Sequence, residues 1–156
     1  MKIHWKLLII CIAIPLLVGG LSALISSNAM ESFEKIEKPS FAPPSILFPI
    51  VWSILYVLMG IALYLILTSG VPQSELSLPV IFFALQLIFN FFWSILFFNL
   101  ELYYFSFAWL VVLWILIAIT ILLFYKISKP AALLLIPYIL WVTFAGVLNL
   151  SIAMLN

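Results

Sequence analysis

Arginine is missing from this chain of 156 residues, charged side chains of every kind amount to 7%, and cysteine occurs once. With a net charge of +1 and no guanidinium there is no basic surface of the kind that nucleic-acid backbones require, so nucleic acid is excluded as a partner. Cys11 has no second thiol to pair with or to share a metal, so neither a disulfide nor a metal site is expected, and it reads as a small packing residue. Hydrophobic residues make up 68%, which leaves too little polar surface to hold a soluble domain of this size in water.

Charge is absent above all from five long apolar runs: Leu7 to Ser27, Ile46 to Thr68, Leu78 to Leu100, Leu102 to Tyr125 and Ala131 to Leu155. Each is long enough to cross a bilayer, because ~20 helical residues at ~1.5 Å rise span a hydrocarbon core of ~30 Å. A transmembrane barrel would alternate apolar and polar residues in short segments, and these runs are continuous. The sequence therefore predicts an all-α integral membrane bundle of five transmembrane helices in a single domain, 1–156. Lys2 and Lys6 ahead of an apolar run, with Ser22 and Ala23 further on, have the look of a secretory signal. The run is longer than a signal core, however, and Gly19, Ala23 and Ser27 fall at helix-packing spacing, so it reads as an uncleaved first helix.

No ionisable residue lies at mid-membrane in any run, which argues against an ion-coupled pump, since something must carry the coupled charge. His4 precedes the first run, so no imidazole is available at depth to hold a haem iron. The longest polar segment, 28–45, carries Glu31, Glu34, Lys35, Glu37 and Lys38 at spacings that suit a short amphipathic helix, ended before Pro39 and Pro43; it reads as a connector or a lid. The other connections are short, which predicts antiparallel neighbours. Lys2, Lys6, Lys126 and Lys129 fall on one side and Lys35 and Lys38 on the other, which places the N-terminus in the cytoplasm.

What the runs do contain is aromatic and amide side chains at helical intervals. Gln86, Asn90, Trp93 and Phe97 share one face of the third helix; Phe48 or Pro49, Trp52, Tyr56, Met59 and Gly60 form a stripe on the second; Pro137, Tyr138, Trp141, Ala145, Leu148 and Asn149 form one on the fifth. Bundle packing explains any one of these residues. As a set, flat rings with sparse hydrogen-bonding groups, three of them tryptophans several residues inside a helix end, suit a pocket for a planar apolar ligand.

The sequence words are specific as well. Lys38-Pro39-Ser40-Phe41-Ala42-Pro43-Pro44, then Phe48-Pro49-Ile50-Val51-Trp52 through Tyr56 and Met59-Gly60, then Gln86 through Asn90-Phe91-Phe92-Trp93, and Pro137-Tyr138-Ile139-Leu140-Trp141 through Ala145 and Leu148-Asn149 resemble the translocator protein family, also called TspO/MBR or tryptophan-rich sensory proteins. The resemblance implies a five-helix bundle, commonly a homodimer, with a pocket capped by the loop after the first helix. It implies binding of porphyrins such as protoporphyrin IX and haem and of isoquinoline- or benzodiazepine-type drugs, with no resident cofactor, and in some bacterial members light-dependent porphyrin breakdown and tetrapyrrole regulation. Carried over by position, Trp52 and Trp141 match the tryptophans assigned to porphyrin chemistry. Ala23, Phe48, Pro49, Asn90, Trp93, Tyr138, Ala145 and Leu148 match ligand-contact positions.

Two departures stand out. Phe41 occupies a position where the family usually has tryptophan, and the tyrosine and arginine of the family's cholesterol-associated segment are absent after Asn149, so sterol binding is not expected here. The third run offers only Ala84 in place of a small-xxx-small pair for a dimer face. The readings left in competition are a porphyrin-binding sensor or carrier in a bacterial cell membrane, a light-dependent enzyme, a transporter of porphyrin or lipid-like molecules, and a structural bundle that binds protein partners. The transporter is the alternative to the porphyrin-binding reading, and against it stand the lack of buried charge, of broken half-helices and of inverted repeats.

Overall fold

The computed structural model describes residues 2–156, and among them there are helices and no strand. The helices are α1 (Trp5–Ile25), α2 (Ala29–Lys35), α3 (Leu47–Leu67), α4 (Gln73–Ser94), a π-helical turn (Ile95–Asn99), α5 (Tyr103–Ile127), α6 (Lys129–Leu134) and α7 (Ile136–Leu155). Five spans result, since α4 runs into the π turn and α6 into α7, and each is long and apolar enough to cross a membrane. The all-α five-span architecture expected from composition is what forms.

The helix ends differ from the charge-free runs by a few residues. The third span begins at Gln73 rather than Leu78, with Glu75 in its first turn, where the helix dipole favours a carboxylate. The fifth begins at Lys129, with the Ser128 hydroxyl accepting from the Ala131 N–H and Pro130 at the first positions. Helices thus extend through the charged interface, and a criterion of zero charge cuts them short. Pro137 consequently does not open the fifth span. It sits at the start of α7 after a one-residue break at Leu135, so this span is interrupted where continuous helices were expected.

The spans close into a ring that does not follow chain order. α1 packs along α3, α3 meets α6, α5 packs along α6 and α7, α4 lies along α5, and α1 touches α4. The spans therefore neighbour one another in the order first, second, fifth, fourth, third. α3 and α4 meet little although residues 68–72 alone join them: a short loop makes them antiparallel but does not make them pack. The tightest approach of backbone to backbone is at Gly60, where an added Cβ would stand 2.3 Å from the Ile12 Cα and 2.7 Å from the Cys11 carbonyl. Small-residue packing between α1 and α3 is thus supplied by Gly60. Of the expected seam, Gly19 packs against the Tyr56 ring of α3, and all three of Gly19, Ala23 and Ser27 also line a cavity.

Hydrogen bonds fix which ends lie together. The His4 backbone N–H donates to the Tyr64 hydroxyl at 3.0 Å, tying the start of α1 to the far part of α3. At the opposite end, the Asn156 side chain accepts from the Glu37 N–H at 3.1 Å and donates to the Glu37 carbonyl at 2.9 Å, and the Asn99 amide donates to the Ile25 carbonyl at 3.0 Å. Lys2, Lys6, Lys126 and Lys129 share the first end, and Lys35 and Lys38 the second.

Candidate functional site

A cavity of about 270 Å³ opens beneath the segment that joins the first two spans. Its roof is α2, a seven-residue amphipathic helix that buries Phe33, lines the cavity with Met30 and Phe33, and leaves Glu31, Glu34 and Lys35 in water. Lys35 pairs with Glu31 one turn away, and that ammonium holds the Glu31 carboxyl below the usual carboxylate range through a hydrogen bond and its charge. Lys38 closes the roof helix: its ammonium donates to the carbonyls of Phe33 at 2.7 Å, Glu34 at 3.1 Å and Ile36 at 3.3 Å, and stands 5.0 Å over the Phe33 ring.

The walls come from three spans. α1 gives Gly19, Ser22 and Ala23, continuing into Ser26 and Ser27; α3 gives Phe48, Pro49, Trp52 and Tyr56; α4 and the π turn give Trp93, Ser94 and Phe98. Gly19 is needed for room, because a Cβ there would fall 2.1 Å from the Tyr56 ring. The π turn, in which the Leu100 N–H reaches back to the Ile95 carbonyl, lets Phe97 bury in the core while its neighbour Phe98 faces the cavity. Trp52 stacks on Tyr56 with ring centres 5.6 Å apart and lies 6.4 Å from Trp93. None of the lining side chains is charged.

Behind this wall runs a buried chain of polar groups. The Tyr56 hydroxyl donates to the Asn90 oxygen at 2.9 Å, the Asn90 amide donates to the Tyr138 hydroxyl at 2.8 Å, and the Tyr138 hydroxyl donates to the Gln86 oxygen at 2.7 Å. Trp93 spends its indole N–H on the Asn149 oxygen at 3.0 Å, and Asn149 donates in turn to the Tyr103 carbonyl at 2.9 Å. Trp93 therefore offers a ligand its ring face and no donor. Among the described residues, no group of His, Cys, Asp or Glu is placed to hold a metal ion.

Of the residues singled out from the sequence, Ala23, Phe48, Pro49, Trp52 and Trp93 line the cavity. Asn90 and Tyr138 form the layer behind Tyr56, and Ala145 and Leu148 are buried in the core away from the cavity wall. Trp141 does not line the cavity; it packs against Phe48 at 5.8 Å and Phe144 at 5.3 Å, with its indole N–H buried and unpartnered. The structure thus separates Trp52, at the cavity, from Trp141, one ring removed. Phe41, at the position where tryptophan is usual, rests edge-on against Phe144 at 6.3 Å. Sequence reasoning passed over Ser22, Ser26, Met30, Phe33 and Phe98 as lining residues, and had Tyr56 on a helical stripe without giving it a role.

Comparison with known proteins agrees with this architecture. Residues 11–155 match the TspO/MBR family. The chain is 41% identical over 150 residues to the tryptophan-rich protein TspO of Chlorobaculum tepidum, covering 96% of this chain and 95% of that protein. It is 35% identical over 138 residues to protein CrtK of Rhodobacter capsulatus, covering 88% and 85%. It is 32% identical over 138 residues to the translocator protein of Bos taurus, covering 87% and 82%.

Proposed function

The chain belongs to the TspO/MBR family, and on that premise we propose that it is a membrane receptor for flat, largely apolar ring molecules: porphyrins such as protoporphyrin IX and haem, and isoquinoline- or benzodiazepine-type compounds. The observation that carries this reading is the aromatic wall of Phe48, Trp52, Tyr56 and Trp93 around an uncharged cavity under α2. Ligand sites run from ~300 to ~1,000 Å³, so a cavity of about 270 Å³ suits a compound of two or three fused rings as it stands. A porphyrin macrocycle is larger and requires α2, with Phe33 and Met30, to move outward.

Titration of detergent-solubilised protein with protoporphyrin IX, read by tryptophan quenching, tests the reading. Trp52→Leu removes a stacking face, worth ~0.5–1.5 kcal/mol beyond area burial, and is expected to weaken binding several-fold. Trp141→Leu, outside the cavity lining, is expected to weaken it less. Equal affinity in the parent and in Trp52→Leu would sink the reading.

Light-dependent porphyrin breakdown is proposed on the same contact, with Trp52 as the indole nearest a bound ring and Trp141 outside the cavity lining. Illumination with protoporphyrin IX should yield a defined product that Trp52→Phe fails to give; uniform bleaching in both proteins would count against it. Passage of ligand through the bundle is less well supported, because the Tyr56, Asn90, Tyr138 and Gln86 chain fills the space behind the cavity. A homodimer is also proposed, with the exposed α4 stripe of Ile81, Ala84, Ile88 and Phe92 as its face. A bacterial cell membrane is proposed as well, and the lysine distribution supports an N-terminal end on its cytoplasmic side.

A further inference from the structure

One buried hydroxyl in the cavity has nothing to bond to. Ser26, just past the end of α1, is 4% exposed, lines the cavity, and its side-chain oxygen has no hydrogen-bond partner. Its backbone N–H is already satisfied by the Ser22 carbonyl at 2.9 Å, so the unmet capacity belongs to the side chain. Of the other cavity hydroxyls, Ser22 donates to the Phe91 carbonyl at 3.0 Å, Ser45 to the Glu34 carboxylate at 3.0 Å and Tyr56 to the Asn90 oxygen at 2.9 Å, while Ser27 is exposed and Ser94 only half-buried, so Ser26 alone is both buried and unpaired. A buried polar group left unpaired is costly, and in a native protein it calls for an explanation.

The charge around it restricts what the partner can be. No lysine, arginine or histidine lines the cavity, the Lys38 ammonium is occupied by three backbone carbonyls, and the Glu34 carboxylate backs Ser45 at the rim. An anion placed against Ser26 would lose its hydration and meet no cation, which disfavours it strongly. A neutral acceptor meets no such penalty.

We infer that Ser26 is a specificity-determining donor that hydrogen-bonds the carbonyl oxygen of a neutral, flat aromatic ligand seated against Trp52 and Tyr56. This rests on the reading of the cavity as a site for planar rings, and it adds which edge chemistry that site accepts. A dicarboxylate porphyrin, by the same logic, keeps its carboxylates outside the cavity.

Fluorenone and fluorene form the test pair, since they share a tricyclic frame and differ only by a carbonyl in place of a methylene. Their affinities are to be measured by calorimetry on the full chain in lipid nanodiscs, for the parent, Ser26→Ala and Ser26→Thr. A neutral hydrogen bond corresponds to about a two- to twelvefold effect. The fluorenone-to-fluorene affinity ratio should therefore fall by that factor in Ser26→Ala, hold in Ser26→Thr, and leave fluorene binding unchanged. Ser26→Ala removes no existing bond, so its melting temperature should not drop, which separates the result from misfolding. An unchanged ratio in Ser26→Ala overturns the assignment of Ser26 while leaving the cavity reading intact. Binding of 9-oxofluorene-4-carboxylate as tight as that of fluorenone overturns the preference for a neutral edge. Failure of both neutral probes to bind the parent protein overturns the cavity reading and this inference with it.

Discussion

At the scale of the residue, the polar side chains inside the bundle have divided work. Tyr138 both donates to Gln86 and accepts from Asn90, so it is the link on which the buried chain depends. Tyr138→Phe strands the Asn90 amide and the Gln86 oxygen, whose own amide nitrogen is already unpartnered. The expected loss is about 1–3 kcal/mol of stability, visible as a lower melting temperature, with ligand affinity changed less than by Trp52→Leu because Tyr138 does not line the cavity. A melting temperature equal to that of the parent would mean the chain contributes nothing. The face that carries Gln86, Asn90, Trp93 and Phe97 was legible from spacing alone, and all four are buried. What spacing does not give is the partner of each amide. Trp52 and Trp141 look equivalent in sequence, each a few residues after a proline on an aromatic stripe. They differ because Trp52 lines the cavity whereas Trp141 packs against Phe48 without lining it, a relation between spans that no single helix pattern contains. Ser26 was invisible for the opposite reason: a serine at a helix end is ordinary, and only the lack of a partner marks it.

At the scale of the element, helix ends and close contacts were the parts least readable. Charge-free runs locate the hydrocarbon core, yet Gln73–Ser77 and Lys129–Pro130 are helical because charged residues are welcome in the interface turns, and the runs stop before them. The amphipathic roof helix was legible from the Glu and Lys spacing, and α2 ends at Lys35, with extended backbone at Ile36 ahead of Pro39. Which glycine holds two helices together was not, since Gly19, Gly20 and Gly60 are alike until the neighbouring backbone is known. Gly60→Ala would force its methyl group into the Ile12 backbone and should destabilise by about 1–3 kcal/mol. Gly20→Ala meets nothing within 4 Å and should be neutral or slightly stabilising, given the ~1 kcal/mol helix preference for alanine. Thermal unfolding of the two variants in one detergent checks the contrast; similar shifts would contradict the α1–α3 contact.

At the scale of the whole molecule, the two ends carry different lysine counts, and this sets an orientation that can be measured. In a Cys11→Ala background, a cysteine at Ser69 should react with impermeant maleimide only after the cells are opened, and one at Ser40 in intact cells; the reverse pattern would invert the assignment. The span count came directly from the apolar runs. The closing order of the ring did not, because pairing between spans depends on which faces match and not on which loops are short. That order has a consequence for biogenesis. The first four spans emerge from the ribosome with a gap between the second and the fourth, and the fifth is the wedge that fills it, bringing Tyr138 to Asn90 and Asn149 to Trp93. A nascent chain halted before α7 would hold Trp52 and Trp93 without the buttress behind them, so the proposed site becomes complete only once α7 has been made.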